Sequence, residues 1–309
     1  MHIVGQHPFY QTTEEDRLLI RKELGFKDSI LQEDIDAIIE WFQKQPHLAH
    51  APIDRDYVEK ILISTKGSQE KAKRKIDNFY KYRSLAPELV QQRIQDLDDP
   101  NYDPWITYRQ AAMLKLYNGK RISVFKLTEP NASKVIIDVM LKNTVMLGDL
   151  RLKYDYMLGD IWIFDLQNAS IGHLLQFNLL TFQKFVNIIQ DGVGFRIYEI
   201  HVINATSFSQ AFLNFVKQFV KPKIVGRMVV HRTIEELQAH IPKTYLPKDY
   251  GGEQPSLDEF KELYLREIRK GPTKDCLIEY CQLISDEKNR PGDFEEEYLV
   301  GSFKKLEFD

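Results

Sequence analysis

"RIYEIHVINATSFSQAFLNFVKQFVKPKIVGRMVVH", residues 196–231, changes its period twice. Arg196–Ile203 is rich in β-branched and aromatic residues, as strands are. The middle then repeats phenylalanine at Phe208, Phe212, Phe215 and Phe219, spacings of four, three and four that stack side chains on one helix face. Arg227–His231, RMVVH, returns to strand composition. The stretch therefore reads strand, helix, strand. A helix between two strands is the usual crossover of a parallel pair. RISVFKL (Arg121–Leu127) and DIWIFDL (Asp160–Leu166) are strands of the same kind, so the expected fold class is α/β with a mostly parallel sheet.

Upstream the pattern differs. From about Thr13 to Ala86 the chain reads as helices: Asp28–Gln43 repeats Ile30, Ile35, Ile38, Ile39 and Phe42 at helical spacing, and Gln69–Leu85 carries Ile76, Phe79 and Tyr80 among cations. DDPNYDPW, Asp98–Trp105, supplies two prolines and turn formers and marks a boundary. The expected organisation is an all-α lobe over 1–98, an α/β domain over 99–253, and a C-terminal extension over 254–309 with a helix at Ser256–Lys270.

With 309 residues there is length for a real core. The balance of 42 basic against 45 acidic side chains, a formal charge of -3, argues against a general nucleic-acid binder. The two cysteines, Cys276 and Cys281, lack a partner pair at metal-ligand spacing, so neither a disulfide framework nor a metal site is expected. The N-terminus has no cationic stretch followed by an apolar run, and no segment approaches about 18 uninterrupted apolar residues. A cytoplasmic protein is expected, with no use for the sequons at Asn131, Asn168 and Asn204.

Catalytic patterns are scarce. There is no G-x-S-x-G elbow, no Walker-type loop before Gly119-Lys120, and the glycines at Gly192 and Gly194 lack the third of a dinucleotide fingerprint. His201 and Asp165 are the residues a lipid-metabolising enzyme would use; a structural histidine and a capping carboxylate are the plainer readings. Charge is more informative. Between Glu199 and Glu235 no acidic residue occurs, while Lys217, Lys221, Lys223, Arg227 and Arg232 do. Cations at a helix end suit the macrodipole; near an anionic membrane each is worth about 1 kcal/mol. The phenylalanine face, widened by Leu213, Val216 and Val220, fits either a helix packed on a core or one that covers an apolar cavity and swings into a bilayer.

Four segments carry a resemblance to a known family. WFQKQPHLAH (Trp41–His50) and KAKRKIDNFYKYR (Lys71–Arg83) look like its N-terminal helices, and DIWIFDLQNAS (Asp160–Ser170) like its central strand and turn. The most specific block is Arg196–Ile224, with HVIN, followed by LPKDYGGE (Leu246–Glu253). Over roughly Ile35–Glu253 the chain resembles the CRAL-TRIO (Sec14-like) lipid-binding proteins, the group that includes tocopherol-transfer and retinaldehyde-binding members.

The resemblance implies an N-terminal helical lobe, a cavity floored by the sheet, and a mobile lid helix formed by Phe208, Phe212, Leu213, Phe215, Val216, Phe219 and Val220. It implies no enzyme, no cofactor beyond a bound lipophilic ligand, and transfer of one tocopherol-, retinoid- or other lipid-like molecule to phosphoinositide-containing membranes; a cargo-free phosphoinositide scaffold is the alternative. By correspondence with the tocopherol relative, Arg196, Lys223 and Arg227 fall on headgroup-contacting positions, with Lys217 and Lys221 nearby. Other basic positions of that relative fall on Tyr198 and on Thr65, next to Lys66. Together with strand alternation, the alignment names as cavity candidates Val139, Asn143 and Met146 on one helix, Trp162 and Phe164 on one strand face, and Ile188, Ile189, Val193, Phe195, Ile197 and Ile200. Ordinary core is the competing reading for each, and Asn143 is the polar one that could orient a hydroxyl or carbonyl.

Overall fold

A computed structural model describes residues 7–205 and 209–291. Helices Glu14–Leu24, Asp28–Gln43, Arg55–Thr65 and Gln69–Ser84 form the N-terminal part. Three of the four starts are chemically specified: Thr13 and Asp16 make a capping box, and the side chains of Asp54 and Ser68 accept from Tyr57 and Lys71 N–H groups. Ile35, Ile38 and Phe42 bury one face of the second helix against Tyr57, Ile76 and Tyr80 in a common core.

The sheet has five strands in sequence order: β1 (Tyr108–Ala112), β2 (Lys120–Leu127), β3 (Gly159–Asp165), β4 (Ile197–Ile203) and β5 (Met228–Val230). β1 is antiparallel to β2, and the remaining neighbours are parallel. The expected α/β class with a helical N-terminal part and a mostly parallel sheet is what the structure shows. The β2–β3 crossover is the helix Ile137–Tyr154, and the β4–β5 crossover contains the helix Ser209–Phe219. Between β3 and β4 the helix Leu179–Asn187 runs into a π-helical turn, Ile188–Val193.

Register puts Ser123, Trp162, Ile200 and Met228 in one row across the sheet. Ile161, Ile163 and Ile203 belong to a buried cluster shared with Leu237, Ile241, Leu246 and Tyr250, contributed by the helix Ile234–His240 and the turns after it. Between β3 and β4 the register slips, with Asp160 opposite Ile197 but Ile161 opposite Glu199, so Tyr198 is the extra residue of a bulge. Two close approaches require glycine. A Cβ on Gly159 (φ +154°) would lie 2.1 Å from the Arg196 carbonyl oxygen, and one on Gly252 would lie 2.0 Å from that of Leu246, which accounts for the second glycine of YGGE.

Leu257–Ile268, capped by a Ser256–Glu259 box, packs on β1, and Gly271–Cys281 packs on the helix Ile137–Tyr154. Buried ion pairs tie these layers together. Asp149 pairs through Oδ1 with Arg83 (2.7 Å) and through Oδ2 with Arg93, all three side chains fully buried. The same guanidinium groups donate to the carbonyls of Leu283 and Leu277 (3.1 and 3.3 Å) in the C-terminal segment.

Candidate functional site: an apolar cavity beneath a phenylalanine-bearing helix

The front of the sheet does not meet a solid core. It floors a cavity of about 270 Å³, close to the lower end of the roughly 300–1,000 Å³ usual for small-molecule sites. Ser123, Phe125, Trp162, Phe164 and Ile200 form the floor. The rings there brace one another: Phe125 stacks on Phe164 at 4.9 Å and meets Trp162 edge-on at 5.8 Å. Met140, Leu141, Thr144, Leu147, Gly148 and Arg151 make one wall, and Phe177, Phe182, Phe185, Val186, Ile189 and Val193 another. Phe212, Phe215, Val216 and Val220 cover it. Their helix rests on the walls through rings: Phe215 is 5.1 Å from Phe177 and 5.2 Å from Phe182, Phe219 is 4.9 Å from Phe182, and Phe212 is 5.9 Å from Phe164.

Of the residues singled out from sequence, Trp162, Phe164, Ile189, Val193, Phe195, Ile197 and Ile200 line the cavity. Strict alternation would send Ile197 and Ile200 to opposite faces; the bulge at Tyr198 brings them to the same one. Ile188 is instead fully buried in the core. Phe212, Phe215, Val216 and Val220 line the cavity, Leu213 does not, and Phe219 packs on Phe182 behind it. Phe208 lies outside the described residues.

The wall helix is rotated from its expected orientation. Val139, Asn143 and Met146 do not line the cavity; the face at Met140, Thr144, Leu147 and Arg151 does, about 100° away. The reason is electrostatic. Asn143 donates to the Tyr108 hydroxyl (2.5 Å), and Asp149, one turn beyond Met146 and turned further from the cavity, is held between two buried arginines. Turning Asn143 and Met146 toward the cavity would strip Asp149 of its partners. Nothing in the letters announces a buried charge, since Arg and Asp are normally exposed.

The polar groups of the lining come largely paired. Asp165, at the end of β3, accepts from the Tyr250 hydroxyl (3.0 Å) and the Asn204 amide (2.8 Å) and pairs with Lys126 at 3.2 Å. His201 is not in the lining: it sits on the other side of β4 with Nδ1 2.7 Å from His231 Nε2 and Nε2 3.2 Å from Glu199, and the His240 ring lies tilted 5.7 Å away. Burial, and then the neighbouring His231, lowers its pKa to about 4. His201 and Asp165 thus do not face a common space. Among the described residues no group of three or more His, Cys, Asp or Glu could hold a metal ion.

The candidate headgroup residues lie beside the cover. Lys217, Lys221 and Lys223 are exposed, while Arg196 and Arg227 are half-buried. Arg227 donates to the Ile197 carbonyl, and Lys221 pairs with Asp191. Tyr198 serves as a platform: the Arg196 guanidinium is 4.2 Å and the Lys120 ammonium 4.7 Å from its ring centre. Lys120 escapes sequence reading because its strand partner is set only by tertiary register. Thr65 faces inward, its hydroxyl donating to Ile61 (3.0 Å). No helix among the described residues is long and apolar enough to cross a membrane.

Residues 116–252 match the CRAL/TRIO domain, and residues 27–100 match a Pinta-like UBA domain. A Mus musculus protein named alpha-tocopherol transfer protein-like is 22% identical over 278 residues, covering 85% of this chain and 76% of its own. Clavesin-1 of Xenopus laevis is 22% identical over 256 residues, covering 80% and 74%. The crystal structure of Sfh5 aligns over 82% of this chain and 96% of its own with 12% identity and a TM-score of 0.47.

Proposed function

We propose that this chain, whose residues 116–252 match the CRAL/TRIO domain, is a carrier. It takes one hydrophobic molecule, tocopherol-, retinoid- or other lipid-like, into the cavity and hands it to a phosphoinositide-containing membrane. The observation that carries this reading is the cavity itself, floored by aromatic rings and covered by a helix whose inner face is phenylalanine and valine. Moving an apolar molecule through water costs about 25 cal/mol per Å² exposed; an enclosing wall of hydrocarbon removes most of that cost. No bond has to form or break.

Release needs the cover to part. The helix Ser209–Phe219 meets the walls through rings, and apolar contact is non-directional, so a bilayer can replace it without leaving hydrogen bonds unmade. Arg196, Lys217, Lys221, Lys223 and Arg227 would bring that helix to an anionic surface, with Lys221 exchanging Asp191 for a phosphate. The test is the triple substitution Arg196→Ala, Lys223→Ala, Arg227→Ala. With each cation worth about 1 kcal/mol, binding to phosphoinositide vesicles should fall on the order of 100-fold, while uptake of a fluorescent lipid stays unchanged. Unaltered vesicle binding would remove the basic residues from the account.

A further inference from the structure

The C-terminal end of the cover helix Ser209–Phe219 is finished by a residue of another element. Pro222 cannot continue a helix, since it has no N–H to give and biases the residue before it away from helical dihedrals. Lys221 accordingly sits at φ -54° and ψ 137°. Two backbone groups at this break, the Phe219 carbonyl and the Lys221 N–H, are both met by Gln190. Its Nε2 donates to the carbonyl (3.2 Å) and its Oε1 accepts from the N–H (3.1 Å). One amide thus closes both sides of the helix end, a task that needs a donor and an acceptor on the same side chain.

Gln190 is fixed to the scaffold, not to the cover. It lies in the π-helical turn Ile188–Val193, a form that recurs at functional sites. That turn is pressed on the N-terminal helix Gln69–Ser84: a Cβ on Gly192 would lie 3.3 Å from the Phe79 Cα. The carbonyl of Gly194, which ends the turn, accepts from the Lys75 ammonium, and that ammonium also reaches the Ser64 hydroxyl (3.2 Å). The amide clasp therefore joins a held element to one that has to move. A second tie runs between Asp191 and Lys221, but these side chains are 29% and 57% exposed, and an ion pair so open to water adds little. Val216 and Val220, which cover the cavity, lie within one turn of the clasp. Lifting them off the cavity carries the Phe219 carbonyl away from Gln190.

We infer that Gln190 is the latch of the cover: a positioning residue whose two hydrogen bonds break before cargo leaves, and which therefore sets how long the cavity stays closed. This rests on the carrier reading. Ring contacts along the rest of the helix can be exchanged for other hydrocarbon as they part, whereas the latch has to be released into water.

The test follows Nile red as it passes from the full chain to phosphatidylcholine vesicles that carry a lipid-linked quencher. These vesicles have no net charge, so the basic residues beside the cover do not enter. Gln190→Met keeps the length of the side chain, loses both bonds, and should speed release about five- to tenfold, the value of two partly exposed hydrogen bonds. Gln183→Met, on the preceding helix, where the amide donates to Asn187 (2.9 Å), should release at the parent's rate. Asp191→Asn should speed release by less than about twofold. In the empty protein, amide hydrogen exchange at Lys221 should quicken in Gln190→Met while Val202 and Ile203 on β4 keep the parent's protection. That pattern separates an opened latch from a loosened fold and from a lost cargo contact. Unchanged release, a rise shared by Gln183→Met or matched by Asp191→Asn, or faster exchange on β4 as well overturns the inference. If the parent takes up no Nile red, the carrier reading itself falls and takes this inference with it, an outcome distinct from the others.

Discussion

The two sides of the cavity are held by different physics. On the wall side, the helix Ile137–Tyr154 is fixed by Asp149 between Arg83 and Arg93 and by Arg151 between Asp155 and Asp160, all buried and directional. On the cover side, the helix Ser209–Phe219 lies on Phe177 and Phe182 through half-buried rings, with its C-terminal end tied by Gln190 to the Phe219 carbonyl (3.2 Å). Ion pairs in low dielectric tolerate neither rotation nor loss of a member; ring contacts degrade gradually and can be exchanged for other hydrocarbon. One side therefore defines the cavity, and the other suits opening it.

That contrast can be broken outright by single substitutions. Asp149→Ala leaves two guanidinium groups buried without their carboxylate and should cost at least about 3–5 kcal/mol, enough to unfold much of the protein in a urea titration. Phe215→Ala, which removes a ring from the cover, should cost only about 1–2 kcal/mol because the side chain is already partly exposed, while speeding release of a bound fluorescent lipid. Equal losses of stability from the two changes would erase the distinction between scaffold and cover.

A pH-dependent effect sharpens it. β5 follows the cover helix in the chain, and His231 just beyond β5 touches His201 on β4, with Glu199, His240 and Glu236 as the neighbouring titratable groups. The folded pKa of His201 is lowered from 6.5 to about 4 by burial and by His231. Below pH 6.5 the unfolded chain takes up a proton that the folded one refuses, so stability is full above about 6.5 and declines as pH falls toward 4, by at most about 1.4 kcal/mol per pH unit for this group. His7, lowered to about 4 mainly by burial, acts in the same direction. The share of His201 is read as the difference between wild type and His201→Asn in urea titrations at several pH values; parallel curves would remove it from the acid response.

The fold was legible because it is written in periodicity and in glycine. The change of period at residues 196–231 marks the crossover to β5, and the YGGE glycine sits where a Cβ would collide with backbone. The front row of β3, Trp162 and Phe164, follows from alternation alone. What resisted reading was charge placed against its usual habit. Arg83, Arg93, Arg121 and Arg151 look like surface cations in the sequence and are buried pins in the structure, and they turn Met140, Thr144, Leu147 and Arg151 to the cavity in place of Val139, Asn143 and Met146. Tyr10 resisted for another reason: it reaches the lining through a strap that folds back over 100 residues of later chain to Leu114, and no local pattern encodes that return.

The most direct test of the central claim is extraction of the purified protein, after incubation with a lipid extract, read by mass spectrometry beside the variant Ile200→Trp, which puts an indole across the cavity floor. The account predicts one enriched, chemically unaltered lipid in the wild type and its loss in the variant. A folded wild type that retains nothing, or that retains the same lipid as the filled variant, would contradict it.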